Sequence, residues 1–465
     1  MGSRFTSPAS IPRLPSDILH EIFLYLCEYQ DSWHRLDLST INLYGPKTKK
    51  PIFLRLLSVS RQFYFVARPF LYRTISLYRC TQVQQLYRTL TKSPALSSHV
   101  RHLFFAEQQD WTGVQPDPGA LPRLWQSVQC QRPKTAVAWN TACGAQRDVA
   151  LQLVAILWCL ENLRTFRYRA NIDPLHRSPR NRGSTFDWIF TALVSNLASR
   201  AYGYGFLYSL EEVDIAGLSP PNKVAFLRAF FKLPNLRSLS LTPASHLPTQ
   251  LRYFPASLSQ SIRELRVSDP ISLRNLPGLL RAVAKLKVLH LDICPHAFAS
   301  HMAYPWFKEA LETQHGHLRE LHISSRTPCN VHYGYNDRPW SLWKCTNLRT
   351  LSIPAELYNH YRRHITLATH FLVPPRVDTL IVSHWHFNSL QPDHLDCLVE
   401  ETAVCLQLRK VVLQDLVGGQ ADRMSQFVNV QQVLRERNVA FVYEGCSGVG
   451  EMRTRENKKC PWRWQ

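Results

Sequence analysis

A six-residue pattern, apolar-x-x-apolar-x-apolar and often with arginine second, recurs through most of the chain. Copies occupy 100–105 (VRHLFF), 163–168 (LRTFRY), 210–215 (LEEVDI), 236–241 (LRSLSL) and 262–267 (IRELRV). They continue at 286–291 (LKVLHL), 318–323 (LRELHI), 348–353 (LRTLSI), 377–382 (VDTLIV) and 408–413 (LRKVVL). From 210 onward the spacing is 24 to 32 residues, a range in which self-similarity signals a solenoid. The last three positions of each copy alternate, so two apolar side chains point to one face of a short strand. The leading apolar residue closes the turn into that strand. Val439–Tyr443 reads as a last rung.

Between the copies, 222–232, 274–285, 305–314, 393–406 and 421–436 carry helix-like periodicity. A strand–helix unit cannot cover its own apolar face, so neighbours must stack and share a core. The expected fold class is therefore α/β: a helical N-terminal module, irregular early repeats over 78–209, and a solenoid over 210–444 with parallel strands on one face and helices on the other. A globular α/β domain would share the alternation but not the repetition of LR-x-L-x-L. Two stretches interrupt the pattern. Glu107–Arg147 holds four prolines with little periodicity and reads as a long surface insertion, and 171–184 is a basic, polar loop. The tail, 445–465, is basic and reads as loose.

The N-terminal module opens with LPSDILHEIFLYL. Ser16 is a helix-capping candidate, and Ile18, Leu19, Ile22, Phe23 and Leu26 recur at helical spacing as one apolar stripe. An insertion over 27–52 follows, ending in the basic, turn-like Gly45–Lys50. A second helical run, Phe53–Ala67, brings Leu56, Val59, Ser60, Phe63 and Ala67 near one face. Pro69 is expected to stop it, and Phe70–Leu77 reads as extended. So short a module cannot bury all of this apolar surface alone, so part of it packs on the body or is offered to a partner.

Composition narrows the class. A hydrophobic fraction of 45% and an aromatic fraction of 11% are those of a globular chain. The net charge of +21 favours acidic protein surfaces or polyanions as partners. The arginines are scattered, so a nucleic-acid groove would require the fold to gather them on one face. Twelve cysteines without one CxxC pair point to reduced thiols in a cytoplasmic or nuclear protein. Leu151–Leu160 (LQLVAILWCL) is half of the ~20 residues a membrane span needs. It reads as a buried helix, and no membrane association is expected.

No catalytic signature emerges, and neither cofactor nor metal is expected. His20-Glu21 begins like a zinc-protease helix, but Leu24 stands where the second histidine belongs. Gly217-Leu218-Ser219 lacks the flanking glycine of a nucleophile elbow. Gly445, Gly448 and Gly450 have no helix behind them to cradle phosphate. His384, His386, His394 and Asp396 form the most ligand-like cluster, but loop and helix-cap roles explain them without a metal. In RTFRYR, Phe166 and Tyr168 are claimed by the strand pattern, so they are not a platform for bases.

LPxxILxxIFxxL, followed by LxxVSRxFxxxARPxLYRxIxL, resembles an F-box over residues 11–77. The resemblance implies a motif that docks on the Skp-type adaptor of a cullin–RING ubiquitin ligase. The residues matching its adaptor-facing pattern are Leu14, Pro15, Ile18, Leu19, Ile22, Phe23 and Leu26, then Leu57, Val59, Ser60, Phe63 and Ala67. Phe63 stands where the family often has tryptophan. The family's connection between the halves is short and acidic, whereas here 27–52 is long and ends basic. The later units resemble irregular leucine-rich repeats that lack the usual asparagine or cysteine after the strand. Together the two resemblances imply a non-catalytic adaptor that joins a Skp-type protein, and through it a cullin, to a protein target; the basic charge balance points to an acidic or phosphorylated one. The competing readings are a leucine-rich scaffold unrelated to ubiquitin and a nucleic-acid-binding solenoid.

Overall fold

A computed structural model describes residues 15–34, 58–106, 144–169, 207–216, 227–242, 254–267, 275–292, 303–324, 342, 344–354, 373–383, 407–414 and 431–444. The chain divides into two compact units, 1–177 with 184–210 and 178–183 with 211–465.

In the first unit, α1 (Ser16–His34) starts behind Pro15, whose carbonyl accepts the Leu19 N–H at 3.1 Å. Asp17 in its first turn complements the helix dipole. The helix runs on to His34, so the opening of the 27–52 insertion is helical. Helix α2 spans Arg61–Arg73. Its start is set by Ser60, an extended residue whose hydroxyl accepts the Phe63 N–H at 3.2 Å. Ser58 and Val59 form a turn, so the described part of the expected 53–67 run is helical only from Arg61.

Pro69 does not end α2. It sits inside the helix, which continues to Arg73. An internal proline removes one helical hydrogen bond and costs about 3 kcal/mol. Phe70, buried one residue later, offsets that cost by anchoring the last turn in the core. The expected extended stretch therefore shrinks to β1 (Thr74–Leu77).

Helix α3 (Cys80–Lys92), a 3-10 helix (Pro94–His99), β2 (His102–Ala106), α4 (Gly144–Cys159) and β3 (Thr165–Arg169) complete the described elements of this unit. The three strands are parallel and in register, with Ile75, Leu103 and Phe166 in one buried column and Leu77, Phe105 and Tyr168 in another. Every residue of Val149–Leu157 is buried, as the apolar run predicts. No helix among the described residues is long and apolar enough to cross a membrane.

The second unit repeats one rung. Strands β4 (Glu212–Ala216), β5 (Ser238–Thr242), β6 (Glu264–Val267), β7 (Val288–Asp292) and β8 (Glu320–Ser324) pair in parallel, each with the next. The series continues through β9 (Thr350–Pro354), β10 (Thr379–Ser383), β11 (Lys410–Gln414) and β12 (Ala440–Glu444). Each expected copy of the repeat coincides with a strand. The alternation works as the pattern demands: Leu239, Leu265, Leu289, Leu321, Leu351 and Leu380 form one solvent-free column, each 0% exposed. The leading residues Leu210, Leu236, Ile262, Leu286, Leu318 and Leu348 are 0% exposed as well.

The second position of each copy carries the stacking. The Arg263 N–H donates to the Arg237 carbonyl at 2.8 Å, Lys287 to Arg263 at 2.8 Å, Arg319 to Lys287 at 2.8 Å and Arg349 to Arg319 at 2.7 Å. From Arg237 to Arg349 one basic residue of each rung is thereby held directly above that of the rung before; Glu211 precedes this run and Asp378 follows it.

Between strands, α5 (Leu276–Arg281) and α6 (Ala303–Glu312) pack on each other, and residues 227–231 and 431–436 are helical. The helix-like run 393–406 lies outside the described residues. Just past α6, buried Gln314 ties adjacent rungs together. It donates to the Leu280 and Val283 carbonyls at 2.8 and 2.6 Å and accepts the Leu286 N–H at 3.2 Å.

Candidate partner-docking site

Helix α1 advances about 100° per residue, so its apolar residues split between two adjacent faces. Leu19 and Phe23 point inward and are each 1% exposed. Ile18, Ile22 and Tyr25, spaced i, i+4, i+7, line the next face and are 46%, 44% and 72% exposed. The stripe expected from sequence is thus two surfaces, one structural and one open.

The inward face builds a small core with α2. Leu19, Phe23, Ala67 and Phe70 are buried together, flanked by Leu24, Phe63, Val66 and Leu71. The Phe23 ring meets those of Phe63 and Phe70 edge-on, with centroids 5.8 and 5.9 Å apart, a favoured aromatic geometry. His20 sits against Phe70 at 5.0 Å. Gln62 donates to the Ser16 hydroxyl at 3.2 Å, joining the first turns of the two helices.

Around α2, Val59, Tyr64 and Phe65 remain exposed at 62%, 40% and 69%. Phe65 projects from the side of the helix opposite to Phe63, Ala67 and Phe70. Arg68 lies over the Tyr64 ring, 5.8 Å from its centroid.

The twelve residues singled out from sequence fall into four groups. Ile18, Ile22 and Val59 are exposed apolar residues, and Pro15 and Ser60 are exposed beside them. Leu19, Phe23 and Ala67 are core, with Phe63 half-buried against them. Leu26 belongs to α1, but its side chain lies outside the described residues, as do Leu14 and Leu57 entirely. Tyr25, Tyr64 and Phe65 went unread. Tyr25 was legible as the i+7 partner of Ile18; Tyr64 and Phe65 follow no apolar periodicity.

Of the seven large hydrophobic residues exposed among those described, six lie between Ile18 and Phe65, and Tyr208 is the seventh. Exposed apolar residues concentrated in so short a segment mark a surface that a partner covers. Residues 11–78 match the F-box-like family model. The matched segment holds α1, α2 and β1, and so both the small core and the open apolar residues. A search of the curated proteins returned no match.

Among the described residues no group of three His, Cys, Asp or Glu is placed to hold a metal ion. His384, His386, His394 and Asp396 lie outside the described residues. Among the described residues Cys80, Cys159 and Cys345 are not joined in disulfides. Burial pushes the Cys345 thiol up to about 12.

Proposed function

We propose that this chain is the target-recognition adaptor of a Skp–cullin–F-box type ubiquitin ligase. The F-box-like segment docks the Skp-type protein, and through it a cullin, while the repeat unit holds a protein target. The observation that carries the reading is the open face Ile18, Ile22 and Tyr25, inside the segment that matches the F-box-like family. Ile18 and Ile22 are 46% and 44% exposed, so covering each recovers about 0.7–1.5 kcal/mol, and several such residues together seat a partner helix.

Catalysis in this scheme belongs to other subunits. The chain contributes proximity: a target lysine is held near the ubiquitin-loaded enzyme, which turns a bimolecular encounter into a local one. The repeat unit supports that role because its rungs resemble irregular leucine-rich repeats and present a broad parallel sheet to a ligand.

The test is co-expression of residues 1–465 with a Skp-type adaptor, followed by size-exclusion chromatography. A one-to-one complex, lost in the Ile18→Asp, Ile22→Asp double variant while that variant stays folded, is the expected result. A folded wild-type chain that elutes alone would overturn the proposal in favour of a scaffold unrelated to ubiquitin.

A further inference from the structure

We infer that the second unit binds an anionic peptide segment along the basic column Arg237, Arg263, Lys287, Arg319 and Arg349. The inference rests on the adaptor reading, since it names the surface and the chemistry by which a target is held.

The column is a consequence of the fold. Each of these residues occupies the second position of a repeat, and the backbone bonds between consecutive members fix one above another. Rungs lie about 4.8 Å apart, so five consecutive rungs set a row of like charges over about 19 Å. Backbone rotation cannot disperse them, because the ladder holds every Cα in place.

A groove of about 560 Å³ opens on the same residues. Among the described residues it is lined by Arg263, Lys285, Lys287, His317, Arg319 and Arg349, with Gly316 and Asn347, and by no acidic residue. Lys285, Lys287, Arg319 and Arg349 are exposed, with Arg263 half-buried. Nearby carboxylates are committed elsewhere: Glu264 to Arg266 at 2.6 Å, Glu309 to Arg281 at 2.8 Å, and Glu312 to Lys344 at 2.9 Å. Among the described residues no carboxylate pairs with Lys285, Lys287 or Arg319. Glu211 and Asp378 flank the column at its two ends, so the cationic donors of its middle rungs, Lys287 and Arg319, are the ones left without a carboxylate among the described residues.

Its form favours a peptide over a nucleic acid. Single-stranded nucleic acid is held by aromatic platforms as well as by charge. The large aromatic residues exposed among those described are Tyr25, Tyr64, Phe65 and Tyr208, none of which lines the groove. A run of about 19 Å accommodates about six residues of extended peptide at 3.3 Å each. Guanidinium forks grip carboxylate or phosphate in two-point contacts, so glutamate, aspartate and phosphoserine share the chemistry required.

The test uses the full chain in complex with its Skp-type adaptor, or alone if the two do not associate. Fluorescence anisotropy is read with three labelled probes: a hexaglutamate peptide, a hexapeptide with three phosphoserines, and a single-stranded oligonucleotide of six nucleotides. Lys287→Glu with Arg319→Glu should weaken peptide binding about tenfold or more, as expected for two lost charge-assisted contacts. The control pair Lys308→Glu with Arg435→Glu, exposed and equal in charge change, should leave it within about twofold. Tighter binding of the phosphopeptide than of hexaglutamate identifies a phosphorylated source; equal binding identifies an acidic one.

Three outcomes overturn the inference: no peptide binds, the control pair weakens binding as much as the column pair, or the oligonucleotide binds the column more tightly than either peptide. Co-elution with the adaptor is followed for each variant. Its failure with column-dependent peptide binding intact refutes the ligase reading alone, and peptide failure with co-elution intact refutes this inference alone.

Discussion

Ile22 and Phe23 are consecutive in sequence and opposite in role: the Phe23 ring is 1% exposed between Phe63 and Phe70, whereas Ile22 is 44% exposed. A charge placed at the two positions therefore has different consequences. Phe23→Asp buries a carboxylate in an apolar core and should cost more than 4 kcal/mol, about the limit for single substitutions that leave a domain folded. Ile22→Asp should change stability by about 0.5 kcal/mol or less, as for other open surface positions. Thermal unfolding of the two variants, followed by circular dichroism, checks this; equal destabilisation would contradict the division of α1 into two faces.

Gln314 makes a second prediction possible. Its amide is the buried link between the turn at Leu280–Val283 and the start of the next rung at Leu286. Gln314→Leu keeps the bulk but strands the Val283 carbonyl and the Leu286 N–H, while the Leu280 carbonyl keeps the Val283 N–H at 3.1 Å; the loss should cost about 2–4 kcal/mol. Urea unfolding should show the loss as a lower midpoint with an unchanged slope. An unchanged midpoint would mean that water replaces the amide.

His290 and His322 stack on neighbouring rungs, with ring centroids 4.3 Å apart and planes within 9°. Burial, then the charges of His322 and Arg266, push His290 from 6.5 down to about 3. Glu264, 3.8 Å away, pulls in the opposite direction and is outweighed. The folded chain thus binds fewer protons than the unfolded one between those values, so stability is full above about 6.5 and falls as the pH is lowered toward 3. The urea midpoint of the wild type should drop between pH 7 and pH 5, and His290→Gln should flatten that slope. Equal slopes in the two proteins would show that His290 is not responsible.

Cys345 is buried, 2% exposed, with its thiol held at about 12. Since the thiolate is the reactive form, iodoacetamide at pH 8 should leave Cys345 unmodified in the folded chain and label it fully in urea. Peptide mapping by mass spectrometry reads this directly. Labelling of Cys345 in the native protein at a rate typical of free cysteine would contradict its burial.

Much of this fold can be read without coordinates, because the repeat ties two independent signals together. Period-two alternation places Leu289 and Leu291 on one face, and the recurrence of a leading leucine such as Leu286 fixes where each strand begins. The intervening helices are legible in place but not in length: α5 fills six residues of the expected 274–285, and α6 begins two residues before the expected 305–314. Pro69 misleads because a local steric rule competes with burial of Phe70, and tertiary packing prevails. On α1 the apolar residues are evident, but sequence does not distinguish Ile22 from Phe23; only the position of α2 decides which face is covered. The basic column was visible as an arginine in second place. Its charge density becomes apparent only once the ladder stacks Arg263, Lys287, Arg319 and Arg349.

Whether Ile18 and Ile22 form part of a docking face for a Skp-type adaptor is decided by a binding isotherm. Purified adaptor would be titrated into the wild-type chain and into the Ile18→Asp, Ile22→Asp variant, with circular dichroism confirming that both are folded. Saturable one-to-one binding to the wild type, weakened at least about tenfold in the variant, is the predicted result, since covering these two half-exposed isoleucines is worth about 1.5 kcal/mol or more. Binding of equal strength to both proteins, or to neither, would contradict it.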